Sequence, residues 1–462
     1  ADPEDEYFAD GLSEELLNVL AQVPAFRVVS RTSSFAMKGQ NIELREIGER
    51  LGVSHLLEGS VRRSGERVRI TAQLIRGDDG LQLWSQSYDR LLDDVFVIQD
   101  DIAASVVQAL EVVLDESTRH RMETVGIRNV AAFTAFQKGM EDYIAAHETG
   151  PTVDVLEQAN VHFDQAIEEA PDFAAAYYYK VDYFAHLLID SRSDFPASAA
   201  AISETRRLLE AAHRHAKDPV LKAFIGVDRV LFSEDWTALD NRVSHALSFD
   251  ACPLSVWIVN LTPFYSEAMT AMYRRQQKCD PMDPFVLMLL SMAMAYSGNG
   301  SAALTELDAA SARLGNTILS QGVRILLLTQ EGRSDLAYQL AQDIPQGHEM
   351  YGLIAKVFPL AAQGEIDAAR EAMQRIQDEH PPLPQQRLIA AAAIGDRVQA
   401  NEIAAELDER PAGPMRLLYG VYFCGCGAPF ELSSTPNFAR RIAESGLSWP
   451  PPELIDFPAK DW

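Results

Sequence analysis

Few residues of this chain have types and spacing that could do chemistry. His147-Glu148 and His348-Glu349 begin like the helical zinc-protease signature, where two histidines four residues apart hold the metal and the glutamate acts as base. Neither has the second histidine, so metal-assisted hydrolysis is excluded. His213 and His215 are two apart, which on a helix points the imidazoles to different faces. Cys424-Gly425-Cys426 offers two thiols, where a structural zinc needs four ligands, and no other Cys/His pair sits nearby. A buried thiol pair is the expectation there. No Gly-x-Ser-x-Gly elbow and no Gly-Lys-Ser/Thr run occurs. We therefore expect no metal site, no cofactor and no enzyme.

Binding surfaces are the alternative use of reactive side chains. Arg62, Arg63, Arg67 and Arg69 surround a turn at Ser64-Gly65, where they could meet a phosphate, an acidic partner or a membrane surface. The plainer reading is a charged edge that discourages sheet-to-sheet pairing. Ser30-Arg31-Thr32-Ser33-Ser34 could cradle an anion with hydroxyls and amides, or simply cap a turn. Tyr143, Tyr177, Tyr178, Tyr179, Tyr183 and Phe184 form an aromatic-rich stretch. Tyr177 and Phe184 read as interhelix packing, whereas Tyr178 and Lys180 fall on other faces. The candidate partner-binding residues are thus Tyr178, Lys180, Arg62, Arg63 and Arg67.

Composition bounds the partners. The 462 residues carry a formal charge of −27, spread over the whole chain, which argues against a nucleic-acid binder with a basic face. A hydrophobic content of 47% supports real cores. The longest nearly apolar stretch, Val286 to Tyr296, is short of the ~20 residues a membrane helix needs. The remaining cysteines, Cys252 and Cys279, lie near the ends of consecutive helical units. Equivalent points on neighbouring helix pairs should be roughly 9–10 Å apart, too far for a bridge, so buried thiols are expected. The opening Ala1-Asp2-Pro3 reads as the edge of a longer protein.

The elements that must position these residues change character along the chain. Residues 1–115 read as mixed α and β. A helix starts with Ser13 as cap and carries Leu12, Leu16, Leu17 and Leu20 on its apolar face. A short strand is expected at Phe26–Val29 and a helix at Ile42–Leu51 with Gly52 as its stop. Three strands follow at Ser54–Arg63, Arg67–Ile75 and Leu81–Tyr88, then a long helix at Val95–Leu114. Residues 116–130 read as a linker, 131–430 as helical repeats, and 431–462 as a capping tail that carries Trp449 and Trp462.

Gly300, Gly332, Gly364 and Gly395 recur at 31–32 residues. That spacing suits a helix–turn–helix unit repeated in series. Ala159, Phe163, Ala166 and Pro171 match the second helix of a tetratricopeptide unit, as do Ala369, Met373, Ile376 and Pro381 with one substitution. Leu239, Val243 and Ala246, and Ala303, Leu307 and Ala310, fit more loosely, and 185–218 fits badly.

Four motifs in order, Glu6-Tyr7-Phe8-Ala9-Asp10-Gly11-Leu12-Ser13-Glu14-Glu15-Leu16, Val29-Ser30-Arg31-Thr32-Ser33-Ser34-Phe35, Leu57-Glu58-Gly59-Ser60-Val61-Arg62 and Leu83-Trp84-Ser85-Gln86-Ser87-Tyr88-Asp89-Arg90, resemble the TolB-N-like domain that precedes tetratricopeptide repeats in bacterial signalling proteins. The resemblance implies a segment behind a winged-helix regulator, a class III adenylate cyclase or a kinase, often beyond a membrane span, and carries no catalytic residues. The expected fold class is an α+β N-terminal domain, a small mixed sheet with helices, followed by an all-α tetratricopeptide-like superhelical solenoid. The expected function is non-enzymatic: sensing or protein interaction, with a protein or peptide on the concave repeat surface and no nucleic acid. An exported adaptor for envelope assembly is the alternative, and an enzyme with an unrecognised site a further one. The compartment implied is periplasmic, tethered by a span ahead of residue 1, with the cytoplasm as alternative.

Overall fold

The computed structural model describes residues 3–23, 25–40, 42–116, 118–119, 122, 127–149, 152–189, 195–252, 257–344, 351–379 and 383–462. A small antiparallel sheet with flanking helices comes first, and helices fill the rest, so the chain is α+β followed by all-α. By contacts it divides into two compact units. One comprises Ala1–Tyr183, Glu210–Lys222 and Gln277–Asp283; the other comprises Phe184–Leu209, Ala223–Gln276 and Pro284–Trp462.

In the first unit, α1 (Pro3–Leu20), α2 (Arg31–Phe35) and α3 (Leu44–Leu51) precede β1 (His55–Ser64), β2 (Arg67–Arg76) and β3 (Gln82–Leu91), and α4 (Val95–Ala109) follows. The strands pair as a meander in the order β1-β2-β3. Val68, Ile70, Ala72 and Leu74 alternate along β2 and are all buried, as a strand with one covered face requires. α1 begins ten residues before the expected cap at Ser13. The Ser13 hydroxyl donates back to the Ala9 carbonyl at 2.9 Å, a bond a serine makes inside a helix. Phe26–Val29 joins no strand among the described residues; the Ser30 amide donates instead to the Cys279 carbonyl at 2.7 Å. α4 ends earlier than the expected 114, where Leu110 closes the helix and Glu111 turns left-handed at φ 56°.

Next come α5 (Val130–Thr149), α6 (Thr152–Glu169) and α7 (Ala174–Ile189). One apolar core runs from the sheet and α1 into α5 and α6. Phe133 of α5 meets Phe8 at 6.0 Å and Phe96 at 6.2 Å, both edge to face. Phe136 meets Phe173 at 4.9 Å and Phe163 at 5.7 Å. Gly11 sits inside α1 because a Cβ there would stand 2.3 Å from the Phe133 ring. Ala159, Phe163 and Ala166 are fully buried, so the small–large–small pattern read from the sequence does face a neighbouring helix.

Four further helices lead on: α8 (Phe195–His215), α9 (Pro219–Leu231), α10 (Leu239–Leu247) and α11 (Ser266–Cys279). α8 runs through 21 residues of the stretch that fitted the repeat badly.

The second unit holds the regular array: α12 (Pro284–Tyr296), α13 (Gly300–Leu314), α14 (Ile318–Gln330), α15 (Ser334–Ala341), α16 (Tyr351–Ala362), α17 (Ile366–Glu379), α18 (Pro384–Ala393), α19 (Arg397–Glu409) and α20 (Gly413–Cys424). Each first helix packs on its own partner and on the next first helix, the contact pattern of stacked hairpins. The turn glycines are Gly298, Gly332, Gly364 and Gly395, all left-handed. Gly300 is therefore out of phase with the others: it is the first residue of α13, not the turn.

The tail forms α21 (Pro436–Ser445) and then runs extended. Asp408 accepts the amides of Asn437 and Phe438, both at 2.8 Å, and so caps α21. Leu454 and Ile455 donate their amides to the Gly425 carbonyl, and Phe457 packs on Phe358 at 5.0 Å.

Gly332 and Gly395 share a left-handed backbone but differ in space. A Cβ on Gly332 meets nothing within 4 Å, whereas one on Gly395 would lie 2.2 Å from the Ala459 carbonyl oxygen. Gly332→Ala should cost about 1 kcal/mol from backbone strain alone. Gly395→Ala should cost several times more and loosen the tail. Thermal melts of both variants check this, and equal losses would contradict the tail contact.

Candidate functional site

The polar groups of the first unit gather where α1, α2 and α5 meet. Phe8, Leu12, Glu15 and Val19 follow the 4-3-4 spacing of one helix face, so Glu15 is carried into the core with its apolar neighbours. It is 1% exposed. Burial, with a smaller push from the Glu14 charge, raises its carboxyl to about 7. Glu14 meets the Arg31 guanidinium at 2.9 Å. Burial outweighs that partner and holds the Glu14 carboxyl above its usual value. Tyr143 of α5 is pushed well up, by burial first and the Asp182 charge second.

The serine-rich turn that could have cradled an external anion holds one of the chain's own. Asp280 accepts the Ser33 amide at 3.0 Å and the Ser33 hydroxyl as well, while the hydroxyl oxygen accepts the Met282 amide at 2.8 Å. The arginine hairpin is largely paired across the sheet. Arg67 and Arg69 both reach Asp89, at 2.6 and 2.7 Å, and hold its carboxyl below its ordinary value. Arg63 lies over the Phe8 ring at 5.9 Å. Arg62 is exposed and stands opposite Arg69 in the register. Tyr178 and Lys180 are more than nine-tenths buried on α7, and the Lys180 ammonium pairs with Asp164.

An open groove of about 730 Å³ lies at the start of α5, lined by Phe96, Arg128, Thr134, Lys138, Gln165 and Glu169. Arg128 is engaged by Asp100 at 2.8 Å.

The cysteines differ from expectation. Cys424 and Cys426 form a disulfide, with Cα atoms 5.0 Å apart. The left-handed Gly425 between them turns the chain tightly enough to bring the two together. Cys252 and Cys279 are disulfide-bonded too, and no cysteine is free. The spacing estimate placed Cys252 on a regular helix pair, whereas it lies in the irregular stretch after α10.

Of the histidines considered above, His348 lies outside the described residues. His147 ends α5 and approaches Asp182 of α7 at 3.1 Å. That meeting escaped the sequence reading, which looked for a second histidine four residues after the first. Asp182 lies 35 residues further on, on another helix, beyond the reach of a local spacing rule.

No family model matches the chain. A 125-residue stretch, 27% of this chain, is 45% identical to a protein of Rhizobium meliloti (strain 1021) named "Putative adenylate cyclase 3". The match covers 21% of that protein, so the chain spans about a fifth of the relative's length. The expectation that this chain is not an enzyme is corrected by that likeness, because the relative carries an enzyme's name. No helix among the described residues is long and apolar enough to cross a membrane.

Glu15 gives a measurable signature. Between pH 4.5 and about 7 the folded chain holds a proton that the unfolded chain has released, so stability falls as pH rises through that window. Glu15→Gln should stabilise the chain by about 3 kcal/mol at pH 8 and be nearly neutral at pH 4. Thermal melts at both pH values test this; the same effect at both would show that the carboxyl titrates normally.

Proposed function

We propose that this chain is the sensing and interaction region of a bacterial signalling protein of the adenylate cyclase class. The observation that carries the reading is the 45% identity over 125 residues to the cyclase-named protein of Rhizobium meliloti. The resemblance of the first hundred residues to the TolB-N-like domain, and of the helical remainder to tetratricopeptide repeats, points the same way. On this reading a protein or peptide occupies the face formed by the first helices of successive pairs, α12, α14, α16, α18 and α20. Their stacking couples each pair to the next, so an occupant that favours one curvature biases the whole array.

The region works outside the cytoplasm. Four cysteines all held as disulfides suit an oxidising compartment and would be unusual where glutathione keeps thiols reduced.

Two measurements test the proposal. Cyclic-AMP synthesis by the complete natural protein should be present, and deleting this region should change its rate or its response to cell extracts. Absence of cyclase activity from the complete protein would overturn the reading. In acid-quenched cells, the four cysteines should resist maleimide until a reductant is added; labelling before reduction would place the region in the cytoplasm.

A further inference from the structure

After α21 the chain runs extended from 447 to 462, and the backbone of this strap is fastened at the Cys424–Cys426 turn. The Gly425 carbonyl accepts the amides of Leu454 and Ile455 at 2.7 and 2.9 Å. Cys426 and Glu453 pair as an isolated antiparallel bridge. A Cβ on Gly425 would lie 3.5 Å from the Leu454 side chain, and one on Gly427 would lie 3.5 Å from Glu453 and from the Pro451 carbonyl oxygen. Both cysteines are fully buried, as are Ile455 and Phe457 of the strap. All of these residues belong to the second unit.

A disulfide stabilises a fold chiefly by closing a loop in the unfolded chain, and the effect grows with loop length. This one spans a single residue and ties no two distant segments together. As a staple it is among the weakest a chain can make, so the fold does not depend on it. What it fixes is local. It holds the Cα atoms of Cys424 and Cys426 5.0 Å apart, against the roughly 7 Å that two residues span when extended. That turn orients the Gly425 carbonyl so that two strap amides share it. Once the bond is opened, the two sulfurs must separate to van der Waals distance, and the turn widens beneath the strap.

We propose that Cys424–Cys426 is a site of thiol–disulfide exchange with a protein dithiol, and that its reduction frees the strap. A thiolate of the dithiol attacks one sulfur, which gives a mixed disulfide and releases the other cysteine. The second thiol of the dithiol then displaces the remaining cysteine. The dithiol ends as a disulfide, and Cys424 and Cys426 end as two thiols that have gained two electrons and two protons. The seated strap keeps both sulfurs out of solvent and so shields them from attack. Linkage makes the coupling reciprocal: whatever lifts the strap eases reduction, and reduction lifts the strap. Trp449 of the strap packs on Phe430 and Phe438 at 5.5 and 5.3 Å, and Phe457 packs on Phe358 at 5.0 Å. Release therefore uncovers aromatic surface that the oxidised form hides, and such surface marks a place for a partner. This switch stands apart from the peptide site on the first helices and does not rest on it.

The test uses the whole chain and follows hydrogen exchange by mass spectrometry in peptides covering 449–457. Three samples are compared: the oxidised protein, the protein reduced with dithiothreitol, and a Cys424→Ala/Cys426→Ala variant that keeps Cys252 and Cys279. The Leu454 and Ile455 amides should exchange slowly in the first and about tenfold faster or more in the other two. Circular dichroism of the variant should match the parent, because only the strap is released. Gly395→Ala, which loosens the tail from another side, should speed reduction of this bridge by dithiothreitol, read as maleimide labelling of Cys424 and Cys426. That rate decides the matter if the alanine pair misfolds. Equal strap protection in the oxidised protein and the alanine pair, or a reduction rate that Gly395→Ala leaves unchanged, would overturn the proposal.

Discussion

The first unit depends on one close approach. α1 and α5 come together where Gly11 has no side chain and the Phe133 ring takes the space. From there the ring reaches Phe8 and Phe96, and the aromatic contacts continue through Phe136 to Phe163 and Phe173. The approach sets which face of α1 is buried. Because Glu15 lies on that face, its carboxyl goes into the core with the leucines and pays in desolvation. Packing thus dictates electrostatics here.

In the second unit the organising constraint is the left-handed turn. Glycines at 298, 332, 364 and 395 let one helix end and the next begin without a Cβ clash, so the hairpins repeat. The last of them serves a second purpose, since the Ala459 carbonyl lies against it. Asp408 caps α21 from a neighbouring helix, so the tail is held by polar bonds as well as by Phe457 and Trp449.

Several features that resembled docking surfaces are used within the chain. Asp280 fills the serine turn, Asp89 neutralises Arg67 and Arg69, and Asp164 pairs with Lys180. In an acidic chain, cationic and hydroxyl groups find carboxylates close at hand, and intramolecular partners hold an advantage in effective concentration.

Much of the architecture was legible in the sequence because it rests on short-range periodicity. The alternation in β2, the turn at Ser64-Gly65, the left-handed stop at Gly52 and the burial of Ala159, Phe163 and Ala166 are written in residues a few positions apart. The start of α1 was not legible, since Ser13 can cap a helix or bond back inside one. Nor were the disulfides, which depend on where an irregular segment places Cys252 and on a single left-handed residue at Gly425. His147 and Asp182 show the same limit: they stand 35 residues apart in the sequence, and only the packing of two helices brings their side chains to 3.1 Å. Local backbone preference decides what each segment becomes; which side chains meet is decided by the buried faces, and those form only when the whole chain has closed around them.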